Sequence, residues 1–185
     1  LISNGKILKN IYTVDCIIGQ GNFGEVYRVK HKFLGYQALK IIKHNKNQNN
    51  FTNFINESKN LLNVNHENIV RLFDANYLKY DRKKYFFLSM EFISGEDLFS
   101  HLNRKVSIEI DLALKFQKEI CQGLEHMHNL KNPIIHRDLK PQNILIDFNT
   151  NTLSVKISDF GVSAMLKKNF KIATSEGTLV YMSNE

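Results

Sequence analysis

The chain has 185 residues, of which 43% are hydrophobic and 23% are charged, a composition typical of globular proteins. No apolar run approaches the ~20 residues that a membrane helix needs, and Leu1–Asn10 lacks the apolar core of a signal peptide. We therefore expect no membrane span and a cytoplasmic location by default. The net charge of +7 comes from scattered lysines without a dense basic block, which argues against a nucleic-acid partner.

The first half of the chain has the pattern of a β-rich unit. Five strands are predicted: Ile11–Ile18, which is apolar with β-branched residues, then Glu25–Lys32 and Tyr36–Ile42, which are bounded by Gly or charged residues, and the strand-like runs Ile69–Tyr80 and Lys84–Glu91. Between the third and fourth strands, Phe51–Asn65 changes to helical spacing with its apolar residues on one face. A charged turn at Asp81–Lys83 separates the last two strands.

The second half begins with a long predicted helix. Ser107 is a candidate N-cap for Ile108–Asn129. The apolar stripe of this helix consists of Leu112, Phe116, Ile120, Leu124 and Met127. Two short apolar runs, Ile144–Ile146 and Val155–Ile157, suit a small hairpin. The order is therefore a β-rich unit with one helix, a connection near Glu91–Gly95, and a helical unit.

A glycine-rich run, GQGNFGEV, occupies residues 19–26. Glycine lets backbone N–H groups approach phosphate oxygens because no Cβ intervenes. The alternatives are a plain glycine turn and a dinucleotide-binding loop, which needs a following helix and an acid about 20 residues later. The following segment is strand-like and Lys40 stands at that distance, so the spacing favours a loop folded over ATP. Its residues are Gly19, Gln20, Gly21, Asn22, Gly24 and Val26.

Lys40 and Glu57 form a candidate ion pair. Lys40 lies near the end of an apolar strand, where a lysine alone is more often a solvated strand end. Glu57 lies in the middle of the predicted helix, in line with its apolar face, and an exposed helix glutamate is the alternative. A carboxylate there can hold an inward-pointing ammonium, and such a pair positions the α- and β-phosphates of a nucleotide.

The most specific string in the chain is HRDLKPQN at residues 136–143, followed by DFG at residues 159–161. Asp138 can accept or orient the proton of a substrate hydroxyl. Asn143 offers an amide oxygen and Asp159 a carboxylate, and both are hard oxygen ligands for Mg²⁺. An isolated DFG carries no weight, but the two strings at this separation are not a chance occurrence.

Together these motifs resemble the catalytic domain of eukaryotic-type serine/threonine protein kinases over residues 11–185. The resemblance implies an α+β, protein-kinase-like bilobal fold. The β-rich N-lobe with one helix would cover residues 11–91, the hinge residues 92–96 and a partial helical C-lobe residues 97–185. The implied activity transfers the γ-phosphoryl group of ATP to serine or threonine hydroxyls of a protein substrate. The implied cofactors are ATP and Mg²⁺, or Mn²⁺ in its place.

The resemblance also implies contacts with the nucleoside. Three residues would enclose the adenine, one would close the back of its pocket, two would offer backbone hydrogen bonds and one would meet the ribose. In that order they are Val26, Ala38 and Leu145, then Met90, then Glu91 and Ile93, then Asp97. Lys140 would steady the γ-phosphate, and with Thr178 it matches the serine/threonine pattern of the family better than the tyrosine pattern.

Residues 162–185 resemble an activation segment. In this family an arginine before the catalytic aspartate, here Arg137, accompanies control by phosphorylation. A phosphate that an upstream kinase places on Thr174 or Ser175 would pair with Arg137 and order the segment. A solvated loop of serine and threonine is the alternative.

Two departures from the family pattern shape the remaining expectations. The chain has SNE at residues 183–185, where the family usually has Ala-Pro-Glu, and the sequence stops before the helices that normally follow in the family. We therefore expect a partial domain that is weakly folded by itself, exposes an apolar patch and has little activity. The alternative function is a truncated, non-catalytic nucleotide-binding protein that acts as a regulator or scaffold.

Overall fold

The computed structural model describes residues 2–21, 24–42, 55, 58, 60–104, 107–149 and 152–159. The chain divides into two compact units. The first contains Leu1–Asn63 and Arg71–Phe92, and the second contains Val64–Val70 and Ile93–Glu185. The division therefore falls between Phe92 and Ile93, at the start of the predicted hinge, and the short segment 64–70 belongs to the second unit. No helix in the described part of the chain is long and apolar enough to cross a membrane.

The first unit is built on a six-stranded antiparallel sheet with the order β1-β2-β3-β4-β6-β5. Its strands are β1 Ile7–Leu8, β2 Tyr12–Gly21, β3 Gly24–His31, β4 Gly35–Ile42, β5 Leu72–Tyr80 and β6 Lys83–Glu91. Five of them confirm the predicted strands, with shifts at the ends. Strand β1 lies before the predicted domain, and β2 continues through the first glycines of the glycine-rich run.

Alternating apolar side chains give this sheet its core. The buried cluster consists of Leu8, Tyr12, Val14, Tyr27, Val29, Leu39, Ile41, Leu78 and Phe87. Tyr12 and Phe87 meet edge to face, with ring centroids 5.8 Å apart, a favourable arrangement for aromatic pairs. Removal of this apolar surface from water is the main stabilising contribution to the unit.

A two-residue turn joins β5 to β6. Asp81 and Arg82 both have positive φ, 47° and 58°, which is the requirement of a type I′ hairpin turn. Tyr80 pairs with Lys83 across the turn, so Lys83 starts β6 and is not part of the predicted three-residue turn.

The segment after β4 contains the predicted helix Phe51–Asn65, and residues 55, 58 and 60–62 are helical. The rest of the predicted helix up to residue 59 lies outside the described residues. Ile69 was expected to begin a strand of the first unit. It forms instead an isolated parallel bridge with Ile157 of the second unit. Backbone hydrogen bonds from Ile157 N to Asn68 O, 2.8 Å, and from Val70 N to Ile157 O, 2.9 Å, explain why segment 64–70 joins that unit.

The second unit contains a three-stranded antiparallel sheet with the order β7-β8-β9. Its strands are β7 Gly95–Asp97, β8 Ile144–Asp147 and β9 Ser154–Ile157. Its helices are α1 Leu98–Arg104 and α2 Ile110–His128. The hairpin of β8 and β9 confirms the prediction. Neither β7 nor α1 was predicted, and both are short.

Helix α2 begins two residues later than predicted. Its N-cap is Glu109, not Ser107, and the Glu109 side chain makes no capping hydrogen bond. The first backbone bond runs from Ala113 N to Glu109 O at 2.9 Å. Asp111 lies in the first turn, where its negative charge interacts favourably with the positive, N-terminal end of the helix dipole.

Helix α2 packs closely on β9 and on segment 64–70. Its buried residues are Phe116, Gly123 and Met127, whereas the other predicted stripe positions are half-buried. A Cβ on Gly123 would lie 3.0 Å from Ile157 Cδ1 and 3.1 Å from Asn68 O. Glycine is therefore the residue that lets this helix approach the backbone of its neighbours. Each unit also carries one free, exposed cysteine, Cys16 in the first and Cys121 in the second.

Candidate active site

Four of the residues assigned to nucleotide contacts share one face of the first unit's sheet. Val26 lies opposite Lys40, and Ala38 lies opposite Met90, in adjacent strand pairs. Lys40 and Ala38 are two residues apart on β4, so their side chains point to the same side. Gly19 of β2 pairs with Val26 and joins this group at its edge.

Lys40 lies on this face and is buried, with only 7% of its surface exposed. An ammonium at such a position needs polar or charged partners, because burial of an unpaired charge is costly. The proposed partner, Glu57, lies outside the described residues. The predicted Lys40–Glu57 ion pair therefore stays a prediction.

The described residues of the glycine-rich run lie at the end of β2 and the start of β3. Gly21 pairs with Gly24, and Gln20 lies exposed opposite Glu25. Gly24 has φ of 152°, and a Cβ there would press on the backbone of Ile41. Glycine is thus required at Gly24 by close approach of β4, as well as by its backbone angle. Asn22 lies outside the described residues.

The end of β6 leads into the predicted hinge. Glu91 N donates to Arg71 O at 2.9 Å, so this N–H is already engaged inside the first unit. The Glu91 carboxylate in turn accepts from Arg71 N at 3.2 Å. The predicted adenine contact of Glu91 would therefore use its carbonyl group, and that of Ile93 stays a prediction.

Asp138, Lys140 and Asn143 meet in the second unit, within one loop and the short 3-10 turn Pro141–Asn143. Lys140 Nζ lies 3.2 Å from Asp138 Oδ2. Asn143 Nδ2 donates to Asp138 O at 2.7 Å and to Asp138 Oδ2 at 3.3 Å. Asp138 is 7% exposed, so these contacts hold a buried carboxylate in one orientation.

His136 connects this loop to the residues after β9. Its Nδ1 accepts from Asp138 N at 3.2 Å, and its Nε2 lies 2.9 Å from Ser158 O. Nδ1 is therefore the acceptor, and the proton of the neutral ring sits on Nε2, which donates to the carbonyl. Burial lowers the pKa of His136, which favours this neutral form.

Ser158 ties Asn143 to Asp159. Ser158 N donates to Asn143 O at 2.8 Å, and its hydroxyl donates to the same carbonyl at 3.1 Å. Ser158 was not among the predicted site residues, although its place directly before DFG was the available signal. Arg137 and Asp159 have positive φ, 62° and 60°, an uncommon conformation that clusters at functional sites.

The donor set of Asn143 and Asp159 fits Mg²⁺. Asn143 donates through its amide nitrogen, so its amide oxygen is the atom suited to a cation, and Asp159 supplies a carboxylate. Among the described residues, no group of three or more His, Cys, Asp or Glu side chains could hold a metal ion. Mg²⁺ in phosphate-transfer sites is commonly bound by one or two protein ligands together with phosphate oxygens.

Asp97 and Leu145 lie directly opposite each other in the β7–β8 pair. Asp97 was assigned to the ribose, yet both of its carboxylate oxygens bind Ser100. Oδ1 accepts from Ser100 N at 2.9 Å and Oδ2 from the Ser100 hydroxyl at 2.7 Å. Asp97 therefore caps α1, and a ribose contact stays a prediction.

Of the predicted regulatory residues, Arg137 is exposed, while Thr174, Ser175 and Thr178 lie outside the described residues.

Comparison with known proteins identifies the family. Residues 12–185 match the family model of the protein kinase domain. The chain is 34% identical over 172 residues to calcium-dependent protein kinase 4 of Plasmodium berghei, a match that covers 90% of this chain and 31% of that protein. A probable serine/threonine-protein kinase of Dictyostelium discoideum is 34% identical over 188 residues, covering 100% of this chain and 39% of that protein.

A solved structure shows the same fold. The kinase domain of Mycobacterium tuberculosis PknI superposes with a TM-score of 0.72 at 23% identity, covering 88% of this chain and 64% of that one. The chain thus spans 31% to 39% of the length of the two relatives described above. With the kinase-domain match over nearly its full length and this shared fold, the chain belongs to the protein kinase family.

Proposed function

We propose that the protein is an ATP-dependent serine/threonine protein kinase. The observation that carries this proposal is the cluster of Asp138, Lys140 and Asn143, in which a buried carboxylate is held by an ammonium and an amide. Asp159 lies one residue beyond Ser158, which is bonded to the same Asn143. Together with Asp159, the cluster would provide a proton acceptor, a cation for phosphate oxygens and two oxygen ligands for a metal.

In the proposed reaction a substrate hydroxyl oxygen bonds to the γ-phosphorus of ATP. The bond from that phosphorus to the β,γ-bridging oxygen breaks, and ADP leaves. Asp138 accepts the hydroxyl proton, and Lys140 stabilises the negative charge on the transferred group. Mg²⁺, when bound through Asn143 and Asp159, supplies neutralisation of phosphate charge.

The preference for serine and threonine rests on Lys140 and on similarity. Lys140 lies 3.2 Å from the carboxylate that would orient the acceptor hydroxyl. The relative from Dictyostelium discoideum is a probable serine/threonine-protein kinase, which favours the same acceptor here. Control by phosphorylation at Thr174 or Ser175 through Arg137 remains part of the proposal. Mass spectrometry of the active protein with neither residue modified would contradict that part.

The test uses Asp138→Asn in the full-length protein, with transfer of labelled γ-phosphate to a general protein substrate as the readout. We expect the rate to fall by about 10²–10⁴-fold, because the amide cannot accept the proton. The matched control is Asp111→Asn, the same change on an exposed side chain in the first turn of α2, which should leave the rate unchanged.

Three other results would contradict parts of the proposal. Equal rates for Asp138→Asn and the wild type would contradict the role of Asp138 as the proton acceptor. Phosphotyrosine as the sole product would contradict the serine/threonine preference. ATP binding without transfer by the wild type would favour the alternative of a non-catalytic nucleotide-binding regulator or scaffold.

A further inference from the structure

Residues 2–8, here named the N-terminal brace, are built into the first unit although they precede the region that matches the family model. Gly5 N donates to Val14 O at 2.8 Å, and Val14 N donates to Lys6 O at 2.9 Å. The last two residues form β1 and pair with β2. Leu8 is 3% exposed, so the brace contributes to the apolar core rather than lying loosely on it.

A second set of contacts leads from the brace into β3. Ile2 N donates to the hydroxyl of Tyr27 at 2.9 Å, and that hydroxyl donates to Glu25 Oε2. Tyr27 is 1% exposed and Glu25 is 8% exposed. Burial and the Glu25 hydrogen bond raise the pKa of Tyr27 to about 12, so the phenol stays protonated and remains the donor to the carboxylate.

This chain of hydrogen bonds ends within the glycine-rich run, at Glu25. Glu25 directly follows Gly24, and it lies between Gln20 of β2 and Ile41 of β4. Because a buried carboxylate is costly without partners, the Tyr27 hydroxyl favours the conformation in which the Glu25 side chain points inward. That orientation restricts the backbone conformation at Gly24 and Glu25, where β3 begins.

We propose that the N-terminal brace positions the glycine-rich loop for the triphosphate of ATP, with Tyr27 and Glu25 as the positioning residues. This inference rests on the proposed function. The brace holds the start of β3 through the Ile2–Tyr27–Glu25 relay. The backbone at Gly24 and Glu25 is thereby kept in place before the nucleotide arrives, which reduces the conformational entropy lost on binding.

The experiment compares Ile2→Pro with Ile2→Val in the full-length protein. Proline lacks the N–H that donates to Tyr27, whereas valine keeps it. We expect Ile2→Pro to raise the KM for ATP and the Kd for a fluorescent ATP analogue by roughly three- to tenfold, the range expected for one hydrogen bond. The kcat should change little, because Asp138 and Asn143 are untouched, and Ile2→Val should resemble the wild type.

A second variant keeps the test informative if Ile2→Pro fails to fold. Tyr27→Phe keeps the ring in the core and removes both hydrogen bonds of the hydroxyl, so it should weaken ATP binding in the same way. The double variant Ile2→Pro/Tyr27→Phe should bind ATP no more weakly than Tyr27→Phe alone, because both changes interrupt the same chain of hydrogen bonds.

The outcomes separate this inference from the proposed function. If the wild type binds ATP and both variants bind it equally well while only their thermal stability falls, the brace is merely structural and the inference is wrong. If the wild type neither binds ATP nor transfers phosphate, the proposed function fails and the inference fails with it.

Discussion

Asn143 shows how a single residue serves two parts of the candidate site, one through its side chain and one through its backbone. Its amide nitrogen bonds Asp138, while its backbone carbonyl accepts both bonds from Ser158. The proton acceptor and the start of the metal-binding segment are therefore fixed to the same residue. A change at Ser158 should disturb this connection without touching any atom assigned to the reaction.

We predict that Ser158→Ala lowers the free energy of unfolding by about 1 kcal/mol, the usual net value of one hydrogen bond. The bond from Ser158 N to Asn143 O remains, so the loss stays small. Chemical denaturation of the full-length protein measures it. The control is Ser107→Ala, an exposed serine that is not the N-cap of α2 and should cost no more than about 0.5 kcal/mol. A loss of about 1 kcal/mol at Ser107 would contradict the observed helix start.

At the scale of elements, α2 and segment 64–70 meet through two histidines. The rings of His66 and His126 lie with centroids 4.9 Å apart and planes 34° apart. Burial lowers the pKa of His66 from its ordinary value of 6.5, and His126 and Lys156 lower it further while Glu67 raises it. His66 Nδ1 also accepts from Asn68 N at 3.1 Å, a bond that needs the unprotonated nitrogen.

This contact should make stability depend on pH. The folded protein binds a proton at His66 less readily than the unfolded chain, so folding is favoured fully above about pH 6.5 and less as the pH falls through the lowered pKa. We predict that His66→Asn flattens the stability profile between about pH 7 and pH 5. His128→Asn, at an exposed position of α2, should keep the wild-type slope, and an unchanged slope in both variants would contradict the assignment.

The elements differ in how well the sequence predicts them. Strands β2 to β6 could be predicted from apolar, strand-like runs in the sequence, because that pattern is local. Strand β1 has only two residues and depends on pairing with β2, so no local pattern marks it. Helix α1 has seven residues, and its cap, Asp97, was interpreted as a ligand of ribose.

The candidate site shows the same division. Asp138, Lys140 and Asn143 lie within one short string, so their proximity was predictable from spacing. The contact of Ser158 with Asn143 joins residues 15 positions apart and depends on how β8 and β9 pair. Such a contact follows from the fold and not from the string.

At the scale of the whole molecule, each unit has its own buried apolar residues. Leu39 of β4 is 0% exposed in the core of the first unit, whereas Leu34, at the β3–β4 turn, is 64% exposed. We predict that Leu39→Ala costs about 2–5 kcal/mol of unfolding free energy, because it removes buried surface and leaves a cavity. Leu34→Ala makes the same chemical change and should cost no more than about 0.5 kcal/mol. Equal losses measured by denaturation would contradict the placement of the core.

The two exposed cysteines, Cys16 and Cys121, are suitable attachment sites for spin labels. Each unit carries one thiol, and the chain contains no others. Two spin labels attached to Cys16 and Cys121 would report the distance between the units by pulsed electron–electron double resonance. Recording that distance distribution with and without ATP would show directly whether the two units move relative to each other when the nucleotide is added.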